Sequence, residues 1–209
     1  FRFMRRFIQC TLGCAILAFA STASYGDIVF TFSEVGSDVI MTPSGTFDTT
    51  GLAIVGPFGW GGTGVEENGN HDIMGGTLFG GIDISFAFNP GTDFSQWASA
   101  NGPWTASDFS AVPTAGSKSF TTYVRDPNDN TQIPGLGVVR ADLDGALWTP
   151  DQIWTWSGRT LASLSMIEGA YSVSDSITGE TITYVIPAPA SMGLIGLGLG
   201  LARPRRRRG

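Results

Sequence analysis

Carboxylates are the commonest ionisable side chains in this 209-residue chain, which has 18 acidic residues and a single histidine. Two well-placed carboxyl groups suffice for a glycoside hydrolase, so this activity stays open as an alternative. We do not expect Glu66 and Glu67 to form such a pair, because consecutive side chains of an extended segment point to opposite faces. His71, beside Asp72 in a Gly-rich stretch, is typical of a surface residue. The titratable residues alone therefore predict no catalytic residue.

Half of a calcium-loop motif is present near the middle of the chain. Asp126, Asn128 and Asn130 supply oxygens at the first, third and fifth positions of such a loop. Thr131 stands where the sharp-turn glycine belongs, and Gly137 stands where the bidentate glutamate belongs. The sequence therefore predicts no bound cofactor and no metal, with a calcium site at the three oxygen donors as the alternative.

Tryptophan rings could bind sugars, because a flat aromatic face can stack on a sugar ring. Trp60, Trp97 and Trp104 lie in residues 56–72 and 89–116, two stretches without a strand pattern that we predict to be long surface loops. Packing inside the fold is the ordinary role of such residues. A carbohydrate-binding module that uses these three tryptophans is the second functional alternative.

Several enzyme classes lack their motifs in this sequence. It contains no Gly-x-Ser-x-Gly elbow, no His-Glu-x-x-His helix and no phosphate-binding Gly loop with its lysine. Both cysteines, Cys10 and Cys14, precede residue 27, so the rest of the chain has no disulfide, thiol nucleophile or Cys-ligated zinc. These absences favour a protein without enzymatic activity, of structural or interaction type.

The charge is strongly uneven along the chain. Residues 27–184 hold all 18 acidic residues and four basic ones, Lys118, Arg125, Arg140 and Arg159, a formal net charge of −14 against −6 for the whole chain. An acidic body repels nucleic acid and anionic lipid. We therefore expect a solvated acidic surface and no nucleic-acid partner.

Hydrophobic residues alternate with polar ones in seven short runs between residues 27 and 186, with turn residues between the runs. The pattern shows no long amphipathic helix. It predicts an all-β fold, a single antiparallel β-sandwich with jelly-roll-like wiring over residues 27–184. The inward positions are Ile28, Phe30, Phe32, Val39, Met41, Ile82, Ile84, Phe86, Phe88, Phe120, Thr122, Val124, Trp154, Trp156, Tyr171, Val173, Ile182, Tyr184 and Ile186.

Residues 1–26 have the composition of a secretory signal peptide. Arg2, Arg5 and Arg6 form a basic segment, residues 7–20 are mostly apolar, and small residues follow. We expect this segment to form a signal helix that the export translocase engages and signal peptidase removes.

Residues 185–209 have three parts in a fixed order: a proline segment, an apolar run and a basic cluster. Pro187 and Pro189 favour an extended backbone that an enzyme can bind as a strand. Residues 190–202 would form a helix only about 20 Å long, short of the ~30 Å hydrocarbon core. This length favours a transient stop in the membrane, held by arginines that stay on the cytoplasmic side. The arginines are Arg203, Arg205, Arg206, Arg207 and Arg208.

This order of parts resembles the PEP-CTERM sorting signal. The matching residues are Pro187, Pro189, Ala190 and Ser191, followed by the Gly/Leu run and the arginines, whereas Ala188 stands where the family usually has glutamate. The resemblance implies recognition by an exosortase, a transient inner-membrane anchor, and delivery to the cell surface or the extracellular space. It also implies an association with exopolysaccharide. An ordinary short tail anchor, or a tail bound to anionic lipid, is the alternative.

Overall fold

The computed structural model describes residues 26–57, 62–67, 72–77, 81–97, 102–124 and 133–188. Within these ranges the chain is nearly all β, and a three-residue 3₁₀ turn at Arg140–Asp142 is the single helical segment. No helix of the described ranges is long and apolar enough to cross a membrane. The signal helix and the apolar helix predicted for residues 1–26 and 190–202 lie outside these ranges, apart from Gly26.

Each of the seven runs of alternating residues contains a strand, and the structure adds seven further short strands. In chain order they are β1 (Asp27–Val35), β2 (Asp38–Gly45), β3 (Phe47–Asp48), β4 (Ala53–Val55), β5 (Gly62–Val65), β6 (Asp72–Thr77), β7 (Ile84–Ala87), β8 (Val112–Ala115), β9 (Phe120–Tyr123), β10 (Gly135–Val138), β11 (Leu147–Trp148), β12 (Ile153–Trp156), β13 (Gly169–Ser174) and β14 (Thr181–Ile186).

Two six-stranded sheets contain most of these strands. The first sheet has the order β13-β14-β1-β2-β12-β8, the second has the order β4-β7-β10-β9-β6-β5, and β3 and β11 form a small ribbon. The pairs of neighbouring strands are antiparallel except β1 with β14, which is parallel and aligns Asp27 with Thr181. The prediction of a purely antiparallel sheet is therefore wrong at this pair. Parallel neighbours require a long connection, and here most of the chain lies between the two strands.

The parallel pair gives the first sheet two distinct ends. We call the end marked by Asp27 and Thr181, where β1 and β14 begin, the far end. The end marked by Ile186, where β14 stops, is the tail end. The sheet therefore continues two residues beyond the body boundary predicted at residue 184.

The first sheet confirms the predicted alternation. In β1 the inward side chains of Ile28, Phe30 and Phe32 are fully buried, whereas their neighbours are partly exposed. In β14 the inward side chains of Ile182 and Tyr184 are likewise fully buried. One face of this sheet packs on the core and the other faces solvent, which is what period-two patterning implies.

The second sheet departs from the alternation, because its central strands are buried on both faces. All four residues of β7, β9 and β10 are buried, including the polar Ser85 and Thr121. The prediction of one outward face at residues 82–88 and 119–125 is therefore wrong. In a strand that is buried on both faces, the residues of both sides lie in the interior, so hydrophobic and polar residues no longer mark an inner and an outer face.

Glycine explains why the sequence pattern missed two of these strands. β6 and β10 each contain two glycines, which are typical of turns. The prediction of a surface loop at residues 56–72 is wrong in part, because these residues contain β5. A Cβ on Gly76 would lie 2.9 Å from Cε2 of Trp154 and 2.5 Å from Oε1 of Gln152. Glycine therefore allows the second sheet to approach the indole of the first.

Aromatic rings join the two sheets into a β-sandwich-like body. The ring of Phe120 in β9 stacks on Phe30 of β1 at 5.1 Å and on Trp154 of β12 at 5.2 Å. Phe30 also contacts Tyr184, with 6.0 Å between ring centroids. These rings belong to one hydrophobic cluster that spans both sheets, and aromatic pairs of this geometry stabilise beyond their buried area.

Candidate functional site

Carboxylates form two groups in the described ranges, the first of them at the far end of the first sheet. The first contains Asp27, Asp48, Asp175 and Glu180, and the second contains Asp83, Asp142 and Asp151 beside Lys118. The charges within each group are close enough to shift the pKa of Glu180 or Asp142. They are therefore the first place to look for catalysis or metal binding.

Asp175 is held by more hydrogen bonds than any other carboxylate of the first group. Its side chain is 3% exposed, and it accepts bonds from Ile177 N at 3.0 Å, Thr178 N at 2.7 Å and Thr178 Oγ1 at 2.9 Å. Asn89 donates to it from its backbone N and, at 3.0 Å, from Nδ2. Burial raises the pKa of Asp175, but the donors of Thr178, Asn89 and Ile177 outweigh it and lower the pKa to about 2.

These bonds give Asp175 a structural role. They join the turn between β13 and β14 to the loop that follows β7, and Asn89 Nδ2 reaches on to Gly51 O at 3.3 Å. Both carboxylate oxygens are occupied by protein donors. A carboxylate bound in this way fixes a loop and is not free to attack or protonate a substrate.

Asp175→Asn is expected to destabilise the body by about 2–4 kcal/mol at neutral pH, because an amide cannot satisfy donors that converge on both oxygens. A lowered pKa stabilises the fold above the unfolded pKa near 4, and this stabilisation is lost as the pH falls toward 2. The difference in the free energy of unfolding between parent and variant should therefore shrink between about pH 4 and pH 2.

Urea denaturation at several pH values measures this difference. Asp144→Asn, the same change in charge at an exposed turn, is the control and should alter stability by less than about 0.5 kcal/mol. A gap between parent and Asp175→Asn that stays constant down to pH 2 would contradict the assignment.

Glu180 has the opposite electrostatic setting. Burial raises its pKa, the backbone N–H of Asp48 at 2.9 Å lowers it, and the charges of Asp48, Asp27 and Asp175 raise it further. Two carboxyl groups with pKa values shifted apart are the pattern of an acid–base pair. In this pair, however, Asp175 is buried and its oxygens are occupied, so the geometry does not supply the two accessible carboxyl groups that a glycoside hydrolase needs.

The second carboxylate group also fixes turns. Burial raises the pKa of Asp142, Lys118 lowers it, and Asp151 and Asp83 raise it. Asp83 accepts a bond from Arg140 N, and Asp151 accepts from the backbone N of Lys118 at 2.9 Å. Among the described residues no group of three or more His, Cys, Asp or Glu side chains is arranged to hold a metal ion.

The structure buries two of the three tryptophans predicted to bind sugar. Trp97 and Trp104 are fully buried, which corrects the sugar-stacking hypothesis for them, because stacking requires an exposed ring face. Both rings pack on Tyr184, with 5.1 and 5.2 Å between ring centroids. Residues 89–116 are therefore not simply a surface loop, since they cover the core and also contain β8. Trp60 lies outside the described residues.

The other predicted site residues are only partly within the described ranges. Pro187 and Ala188 of the sorting motif are exposed and follow β14 directly. Glu67 is exposed and Glu66 is half-buried. The remaining predicted residues lie outside the described ranges: His71, Asp126, Asn128, Asn130, Pro189, Ala190, Ser191, Arg203, Arg205, Arg206, Arg207 and Arg208.

The outward face of the first sheet is a surface that sequence reasoning missed. Ser172 and Thr183 bond at 2.8 Å, and so do Ser174 and Thr181. We call this surface the hydroxyl face and define it by the outward residues Val29, Thr31, Ser33, Ile40, Thr42, Ser44, Ile153, Thr155, Ser172, Ser174, Thr181, Thr183 and Val185.

The hydroxyl face is uncharged although it belongs to a strongly acidic body. Asp27 and Asp38 also point outward on this side of the sheet, but each is the first residue of its strand, so the charge lies at the rim and the defining residues between are uncharged. The alternation that buries Phe30 and Met41 turns Thr31 and Thr42 outward, and these two threonines are direct cross-strand neighbours. Alternating polar residues could have revealed each strand's outer side, but only the strand order brings them together.

Comparison of the chain with known proteins finds no relative: no family model, no curated protein and no solved structure matches it. A function therefore has to follow from the residues of this chain and their geometry.

Proposed function

We propose that this chain is an exported cell-surface or extracellular-matrix protein of structural or interaction type, sorted by an exosortase through residues 185–209. The observation that carries the proposal is the junction between body and tail. Ile186 is 2% exposed at the end of β14, and the next two residues, Pro187 and Ala188, are exposed. The proline segment thus begins where the sheet stops, which favours its recognition in an extended form.

The same proposal assigns a role to each part of the chain. Residues 1–26 are a signal peptide for the export translocase and signal peptidase, and the body is a jelly-roll-like sandwich with one parallel pair. The apolar helix and the arginines hold the chain transiently in the inner membrane. The mature protein then reaches the surface or the extracellular space.

The hydroxyl face supports an interaction role for the body, with a neutral polysaccharide as its partner. Serine and threonine hydroxyls donate and accept hydrogen bonds, and the threonine methyl groups give apolar contact. Exopolysaccharide remains the proposed partner, through this face rather than through Trp97 and Trp104. Binding of the folded body to a neutral glycan should be lost in Thr42→Glu and kept in Thr105→Glu, since both residues are exposed but only Thr42 lies on the face.

A secreted glycoside hydrolase remains the alternative activity, and a sugar-release assay separates it from the structural role. Sugar release that a single Asp or Glu substitution abolishes would establish the hydrolase. Glycan binding without turnover would instead support the interaction role.

The mass of the mature chain tests the sorting proposal directly. In a cell that has an exosortase, the surface fraction should contain a chain without residues 1–26 and without the C-terminal arginines. A mature chain that keeps residues 7–20, or one that keeps Arg205 to Arg208 in the membrane fraction, would contradict the proposal.

A further inference from the structure

The predicted sorting tag follows an interior strand of the first sheet without any spacer. β14 lies between β13 and β1, so it has a partner strand on each side. Gly169 pairs with Ile186 on one side, and Thr31 pairs with Val185 on the other. Pairing therefore continues to the last residue of β14, immediately before Pro187.

Folded chain lies on both sides of the point where the tail leaves. β1 continues to Val35, three residues beyond the position that faces Ile186, which is about 10 Å of extended strand. On the other side, Ile167 precedes β13 and donates its backbone N–H to Pro103 O at 2.9 Å.

These flanking segments are tied to the rest of the body. Leu161 N donates to Glu34 Oε1 at 2.8 Å, and Tyr171 Oη donates to Ile167 O at 3.1 Å. Their hydrogen bonds keep them beside the tail end. An enzyme that approaches Pro187 therefore meets the body as well as its substrate.

We propose that the folded body regulates its own sorting, because the enzyme gains full access to the tag only when the end of β14 opens. The proposal rests on the proposed function, in which the exosortase binds the proline segment in an extended form. An enzyme that binds a strand-like substrate needs backbone groups that are free to pair. Val185 is paired with both neighbouring strands and Ile186 with Gly169 of β13, so the enzyme can pair fully with neither residue while the sheet is closed.

Opening the end of one strand requires far less free energy than unfolding the whole body. The end of β14 can therefore set the rate of processing while the core stays folded. A body with a spacer after Ile186, or with a weakened strand end, should then be processed faster.

A four-residue Gly-Ser-Gly-Ser insertion between Ile186 and Pro187 is the first test. It moves the tag up to about 13 Å away from the body and changes no residue of β14. We expect pulse–chase labelling to show processing at least about threefold faster than in the parent, with an unchanged thermal midpoint for the body.

A matched pair of substitutions is the second test. Ile186→Ala and Ile182→Ala remove the same atoms from two buried positions, 2% and 0% exposed, at opposite ends of β14. Both lower the stability of the body, but only Ile186→Ala loosens the tail end. We expect Ile186→Ala to be processed at least about threefold faster than Ile182→Ala, and amide exchange to accelerate at residues 185 and 186 in the first variant only.

The outcomes separate the two proposals. Equal processing rates in the parent and the insertion variant, with both correctly cut, would overturn the regulation and leave the sorting function standing. Chains that keep Arg205 to Arg208 in the parent and in every variant would overturn the sorting function and the regulation together. If Ile186→Ala and the insertion disagree, the insertion decides, because it leaves residue 186 unchanged.

Discussion

Replacing Arg205, Arg206, Arg207 and Arg208 with serine is expected to release an uncut chain through the membrane. As a helix, the apolar run of residues 190–202 would span only about 20 Å, too short to hold its depth in a ~30 Å hydrocarbon core by itself. In the proposed sorting route, the arginines keep the tail of the parent on the cytoplasmic side. Without them the processed fraction should fall about tenfold or more, measured by fractionation and by the mass of the C-terminus.

The double substitution Pro187→Ala with Pro189→Ala is the companion variant. It keeps the arginines and the apolar run but removes the restriction to an extended backbone. The full-length chain should then accumulate in the inner membrane rather than slip through it. Should both variants reach the surface with the same processed mass as the parent, the tail is an ordinary anchor.

Gly76→Ala is expected to destabilise the body by about 3 kcal/mol or more, because the added methyl group overlaps with the core. Its Cβ would lie 2.9 Å from Trp154 Cε2, and that ring has little room to move. Trp154 stacks on Phe120 and donates from Nε1 to Gln152 Oε1 at 2.8 Å. Urea denaturation of the body measures the loss.

The matched control for this substitution is Gly36→Ala. A Cβ at Gly36 meets no atom within 4 Å, and its φ of +64° should make alanine cost only about 1–2 kcal/mol. Adding Trp154→Phe to Gly76→Ala should recover part of the loss, because the smaller ring vacates the overlapping space. Equal losses in Gly36→Ala and Gly76→Ala, or additive losses in the double variant, would contradict this account of the contact.

The sequence reveals the first sheet better than the second, for a physical reason. Strands with one face exposed to solvent, such as β1 and β14, keep the alternation of hydrophobic and polar residues by which a strand is recognised in a sequence. The strands β7, β9 and β10 are buried on both faces, so their polar residues give a misleading outward face. Glycines in β6 and β10 look like loop residues until the partner sheet is known.

The candidate sites likewise depend on contacts between residues that are distant in the sequence. Asp175-Ser-Ile-Thr-Gly179 is a turn signature after a strand, so a hydrogen-bonded Asp175 could have been predicted from the sequence. Its bond to Asn89, 86 residues earlier, could not. The residues next to Trp97 and Trp104 in the sequence do not indicate their burial, because both rings pack on Tyr184, which is distant in the chain. The uncharged hydroxyl face depends on strand order, which the pattern does not contain.

If the chain is exported as proposed, the parallel pairing of β1 and β14 also orders the events of folding in time. β1 leaves a translocase first, whereas the residues that flank it on one side, Thr181 to Ile186, emerge about 150 residues later. Contacts between positions so distant in the chain form slowly, since a long loop must close before they form. In that proposed route the first sheet can be completed only after nearly the whole body has crossed the membrane. Under the sorting proposal, closure of the first sheet and binding of the tail by the exosortase therefore become possible at nearly the same time.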